Sequence, residues 1–135
     1  MRNAAVNWVK SLAVDRAETN KRFILKYIRA LNEAEDKLNI LSQYTSDSKL
    51  IERIAFLEKA FPRHQVMVDE VTAEASRVIV RARFIGKNLG PANGMRPTGK
   101  KVEVPFAMGY EIQQGRIISH WLITDQLALL VQSVV

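Results

Sequence analysis

The dipeptide Phe61-Pro62 divides this chain into two parts with different hydrophobic periods. Upstream, Ile24, Tyr27, Ile28, Leu31, Ala34 and Leu38 recur at steps of three and four, the spacing that puts side chains on one face of a helix. Downstream, Val78, Val80, Ala82 and Phe84 alternate with Arg77, Arg81 and Arg83, the period-two pattern of a strand with one apolar and one charged face. A chain that spends its helical pattern first and its strand pattern second is an α+β protein with an antiparallel sheet.

Local signals set expected boundaries. Asp15 followed by Glu18 has the form of a capping box, which places the start of the main helix near Arg16 and leaves Trp8, Val9 and Leu12 in a short extra turn or helix. Arg22, Lys26 and Arg29 form a solvated stripe on its opposite side. A second helix runs from Ser48 to Ala60 on Leu50, Ile51, Ile54 and Leu57, and Pro62 ends it. Val66, Val68 and Val71 mark a strand. Val102, Val104, Phe106, Met108, Tyr110 and Ile112 mark another, and a last one spans Arg116 to Asp125 before a closing helix from Gln126 to Gln132. Between strands, Gly86 to Lys100 carries Gly90, Gly94, Gly99, Pro91 and Pro97 and reads as a long loop.

With 135 residues, 47% apolar and 25% charged, residues 1–135 read as a single folded domain. The absence of cysteine excludes disulfides and thiolate chemistry, and fits a reducing, cytoplasmic setting. No leader pattern opens the chain, and its longest wholly apolar run, Leu127 to Val131, is far too short to cross a bilayer, so no membrane role is expected. The net charge of +6 is spread along the whole chain without aromatic interleaving, which argues against nucleic acid as a partner.

Gly94-Met95-Arg96-Pro97-Thr98-Gly99-Lys100 imitates the start of a phosphate-binding loop. It fails at Lys101, where a hydroxyl is needed for magnesium, and in being followed by a strand. His64 and His120 lack companions at metal-ligand spacing, so no metal site is expected. His64, after a helix-ending Phe-Pro, is expected at the surface; His120 is either a hydrogen-bonded structural residue or a polar group at an interface.

Asp125 stands out through hairpin geometry. If Gln113 to Arg116 form a four-residue turn, Ile112 faces Ile117, Tyr110 faces Ser119, Met108 faces Trp121, Phe106 faces Ile123 and Val104 faces Asp125. One face would then carry Phe106, Met108, Tyr110, Trp121 and Ile123 with a carboxylate at its end, suited to general acid or base work. The alternative is that Asp125 caps the helix beginning at Gln126. Tyr27 from the helical stripe is expected to join the same pocket, and each of these apolar positions could equally be plain core.

Three segments together resemble the SnoaL-like polyketide cyclase or ester cyclase branch of the nuclear transport factor 2-like superfamily. They are Tyr44-Thr45-Ser46-Asp47 through Glu58-Lys59-Ala60-Phe61-Pro62; Arg77 to Gly86 with Gly94 and Pro97-Thr98-Gly99-Lys100; and Gly115 to Trp121 through Asp125 to Leu129, Leu130 and Gln132. The resemblance implies a cone: a strongly curved antiparallel sheet wrapped around N-terminal helices and enclosing an apolar pocket. It also implies a homodimer through the outer face of the sheet, an apolar small-molecule ligand, no metal and no organic cofactor. Asp125 matches the aspartate that serves such cyclases as general acid and base, for proton abstraction beside a carbonyl followed by aldol closure.

The chain departs from the pattern at Gly86-Lys87-Asn88, where relatives usually carry Gly-Thr-His, and at Arg53, where many carry histidine. Two other functional classes therefore stand beside the enzyme: a non-catalytic module binding small ligands in the same pocket, and a dimeric interaction scaffold with a side-chain-filled interior.

Overall fold

A computed structural model describes the backbone of residues 4–92 and 94–125, and the side chains from residue 15 onward. Helix α1 (Ala4–Glu33) is followed by α2 (Lys37–Leu41) and α3 (Ser48–Ala60), and then by strands β1 (Gln65–Glu74), β2 (Arg77–Lys87), β3 (Lys101–Gln113) and β4 (Arg116–Thr124). The strands form one antiparallel meander in the order β1-β2-β3-β4, a curved sheet against which the helices pack: an α+β architecture, as the order of periods requires. The expected closing helix from Gln126 lies outside the described residues.

The main helix does not begin near Arg16. It runs unbroken from Ala4, because no glycine or proline interrupts the chain before Glu33, and Glu18 pairs instead with Arg22 one turn on, at 3.3 Å. Its inward stripe is Ile24, Tyr27, Ile28 and Leu31, and it stops there. Leu38, expected on the same stripe, belongs to α2 and is exposed, because Asp36 caps a new helix by accepting the Leu38 amide and resets the phase. Lys37 is buried. Its ammonium donates to the Leu31 carbonyl at 2.6 Å, adding to the long 3.4 Å bond which that acceptor takes from the Ala34 amide at the end of α1, and burial pulls its pKa down against the field of Glu58.

Helix α3 matches its expected bounds, with Asp47 as its N-cap. Beyond it, His64 is buried rather than at the surface. Arg63 adopts a left-handed conformation at φ 61, which folds the chain back so that the His64 amide reaches the Phe61 carbonyl and its ring lies against Phe84 at 4.9 Å. Its Nδ1 sits 3.1 Å from the Phe61 carbonyl and 3.2 Å from Glu58.

Val78, Val80, Ala82 and Phe84 line the inner face of β2, opposite Tyr110, Met108, Phe106 and Val104 of β3. In β1 a bulge at Asp69 keeps Val66, Val68 and Val71 on that same face. The Gly86–Lys100 loop of the sequence reading begins two residues later, at Asn88, because β2 continues to Lys87. Asn88 is buried and clasps the loop: its amide group donates to the Ala60 and Gly90 carbonyls, and its oxygen accepts from the Thr98 amide and hydroxyl. The phosphate-loop look-alike thus leads into β3, with no helix N-terminus behind it.

Candidate functional site

The β3–β4 hairpin turns as expected. Gln114 and Gly115 both take positive φ, 51 and 71, and bring Gln113 opposite Arg116 and Ile112 opposite Ile117. The pairing then shifts. Glu111 faces Ser119, so Ile118 is an extra residue on β4 and a bulge. Every later position changes face: Tyr110 pairs with His120, Met108 with Leu122 and Phe106 with Thr124.

The expected pairs Met108 with Trp121 and Phe106 with Ile123 are therefore corrected. Trp121 lies opposite Gly109 and Ile123 opposite Ala107 on the outer face, where they are 46% and 67% exposed. Gly109 is what lets Trp121 lie flat on the sheet, since a Cβ there would meet the indole at 2.2 Å. A depression of about 320 Å³ opens beside them, lined by Arg77, Ile79, Glu111, Ser119 and Trp121 among others. Asp125 is exposed one residue beyond the end of β4, and the parity that would have set it on the inner face does not hold. Tyr27, Met108 and Tyr110 do come together in the inner core, with Phe106 packed against them.

The bulge brings His120 inward, into a polar cluster that the sequence reading does not assemble. Its Nδ1 is 2.6 Å from Asp47 Oδ2, and both side chains are nearly buried, at 4% and 9% exposure. Arg53, one turn and a half along α3, donates from Nε to His120 Nε2 at 3.3 Å. A guanidinium only donates, so Nε2 holds a lone pair and the imidazole proton belongs on Nδ1, facing the carboxylate.

Asp47 is placed by backbone geometry on both sides. Ser46 and Ile117 tie the preceding loop to β4 through main-chain bonds, Thr45 Oγ1 donates to the Ile117 carbonyl at 2.8 Å, and Arg116 donates to the Thr45 carbonyl. Asp47 Oδ1 then accepts from the Lys49 and Leu50 amides. Burial alone would raise its pKa, but the His120 hydrogen bond, the helix amides and the imidazole field outweigh it and hold the acid below the usual aspartate range. Tyr27 is pushed well above the ordinary phenol by burial, then by Tyr110 and Asp47; Tyr110 is raised by burial. The two rings meet edge to face at 6.0 Å.

Asp47 carries one sequence signal, an aspartate immediately before a helical pattern. Its partnership with His120, 73 positions away, carries none. Among the described residues no group of three or more His, Cys, Asp or Glu is arranged to hold a metal, and no helix is long and apolar enough to cross a membrane.

Comparison with known proteins agrees with this architecture. A protein from Jannaschia sp. CCS1, a proposed SnoaL-like polyketide cyclase, superposes with a TM-score of 0.77 at 24% identity, covering 87% of this chain and 92% of its own. AclR of Streptomyces galilaeus, a proposed hydroxylase, gives 0.75 at 23% identity over 87% and 82%. TsrD of Streptomyces laurentii gives 0.74 at 17% identity over 86% and 96%. At these identities they establish the fold alone. No curated protein matches the sequence. The family pattern of the SnoaL-like polyketide cyclases matches residues 27–133, most of the chain, so this protein is a member of the SnoaL-like polyketide cyclase family, built on the nuclear transport factor 2-like fold.

Proposed function

We propose that the protein is a cytoplasmic small-molecule enzyme of the polyketide or ester cyclase type, performing cofactor-independent acid/base chemistry on an apolar carbonyl compound held inside the cone. Asp125, exposed just past the end of β4, is the proton-transfer group for the part of the substrate that reaches the end of the strand. It takes a proton from the carbon beside a carbonyl, the resulting enolate carbon bonds to a second carbonyl of the same molecule, and the protonated acid returns its proton to the new alkoxide. The observation that carries this reading is the inner face of the sheet: an apolar surface of Val80, Phe106, Met108 and Leu122 that also bears a hydrogen-bonded Asp47–His120 pair. Membership of the cyclase family supports it.

The test is titration of the labelled protein with linear aryl diketones and their methyl esters, followed by turnover. Binding should shift resonances of Phe106, Met108, Tyr110 and Leu122, and Asp125→Asn should keep binding while losing about 100-fold or more in rate. Equal turnover by Asp125→Asn sinks the assignment.

A second reading, a dimeric module that binds ligands without turnover, is favoured by the outer face. Ile79, Trp121 and Ile123 are exposed there beside the ion pairs Arg81–Glu70 and Arg83–Asp69. A second copy of the chain stacked on this face is the proposed occupant, checked by sedimentation equilibrium of the unaltered protein and of Ile123→Asp. A monomer at all concentrations rules it out.

A further inference from the structure

Two groups in the inner cluster have unspent chemistry. His120 Nε2 has its lone pair turned toward Arg53, and Arg53 is an exposed side chain whose only hydrogen bond among the described residues is the one to that nitrogen. Asp47 is not itself available as a base: one oxygen is taken by two helix amides and the other by His120 Nδ1. What Asp47 does is fix the ring and its tautomer, as the carboxylate behind the histidine does in a hydrolase triad.

We infer that His120 is a second general base of the pocket, oriented by Asp47 and covered at rest by Arg53, which moves aside to let a substrate C–H or O–H reach Nε2. The inference rests on the proposed reading that the inner face takes an apolar carbonyl compound, but it uses a different place. His120 and Asp125 are five residues apart on an extended strand, roughly 16 Å, so they do not serve the same proton. The charged and titratable groups that face His120 are Asp47 and Arg53 from α3 and Tyr110 directly across the strand pair; Tyr27 of α1 stands within the field of Asp47. The arrangement favours a substrate with an acidic C–H next to a carbonyl, presented to Nε2 in the space that Arg53 vacates.

Nitrobenzisoxazole is a suitable probe because its ring opening needs only a base. Nε2 takes the ring C–H proton, that C–H electron pair forms the nitrile, the N–O bond breaks, and a coloured cyanonitrophenolate leaves. In the full chain, His120→Gln should lower this rate about 100-fold while keeping a donor for Asp47, and Arg53→Ala, an exposed change, should raise it by uncovering Nε2. Nitrogen-15 NMR at pH 8 should show His120 as the Nδ1-protonated tautomer.

The inference is overturned by an Nε2-protonated ring, by no rate above buffer in the unaltered protein, by a lower rate in Arg53→Ala, or by an unchanged rate in a His120→Gln protein that melts like the parent. Asp125→Asn separates the two claims. Loss in Asp125→Asn with none in His120→Gln leaves the cyclase reading and removes His120; the converse removes Asp125 and keeps His120.

Discussion

His120 on β4 and Asp47 at the head of α3 are joined by a 2.6 Å hydrogen bond, the shorter of two side-chain links from His120 to the second long helix. The bond is buried, and each partner has a second engagement, Arg53 for the imidazole and the helix amides for the carboxylate.

Removing the carboxylate therefore costs on two accounts. Asp47→Ala deletes a helix cap, about 1 kcal/mol, and leaves a buried imidazole donor unpaired, about 1–3 kcal/mol more. Urea unfolding should show a loss of roughly 2–4 kcal/mol. Because the folded carboxyl lies below its unfolded value, its contribution is complete above about pH 4 and disappears as pH falls through the lower folded value, so Asp47→Ala and the parent should converge in acid.

For His64 the window lies higher. Burial, the largest influence, and the field of Lys37 lower its pKa, while the Phe61 carbonyl and Glu58 oppose them. The unfolded chain then binds more protons than the folded one, so stability is fully present above about pH 6.5 and declines as pH drops toward the folded value. Urea midpoints at pH 7.5 and 5.5 should differ less in His64→Gln than in the parent. Equal pH dependence in both would show that the ring is not held neutral by its site.

Gly109 and Trp121 form a testable pair on the outer face. Gly109→Ala places a methyl where the indole lies and should cost about 1–3 kcal/mol. The same substitution in Trp121→Ala should cost much less, giving a coupling energy in a double-mutant cycle that additive changes would not produce.

Asn88 works as a clasp for the loop that follows β2. Asn88→Ala leaves the Gly90 carbonyl and the Thr98 amide without this partner and the Ala60 carbonyl with only the Leu89 and Gly90 amides, for an expected loss of about 2–4 kcal/mol, and hydrogen exchange of residues 89–100 should accelerate. Asn88→His should destabilise too, because an imidazole has no pair of donors on one atom to serve both carbonyls.

How far the sequence could be read depended on whether each bulge left a mark in it. In β1 the step from Val68 to Val71 is three residues instead of two, and the bulge at Asp69 is visible as that irregular step. In β4 the extra residue is Ile118, next to Ile117 and followed by apolar residues on both faces, so alternation continues in either phase and the shift leaves no trace. The strands and the turn at Gln114-Gly115 were thus legible, while the facing of Trp121, Ile123 and His120 was not. His64 was misplaced for a related reason: the left-handed Arg63 that turns it inward has no glycine or asparagine to announce it. The Asp47–His120 contact depends on the main-chain bonds between residues 44–46 and Ile117, a long-range pairing that local propensity does not encode.

Ile118 also makes the facing of β4 depend on a single backbone irregularity. The two halves of β4 are out of phase by one residue, so deleting Ile118 would bring them into step. Trp121 and Ile123 would keep their places opposite Gly109 and Ala107, and His120 its place opposite Tyr110, with the bulge gone. Straightening the strand with Ile118 kept would instead set Trp121 opposite Met108 and Ile123 opposite Phe106 and turn His120 outward, so the kink itself, rather than the number of residues, is what keeps an ionisable group in the interior.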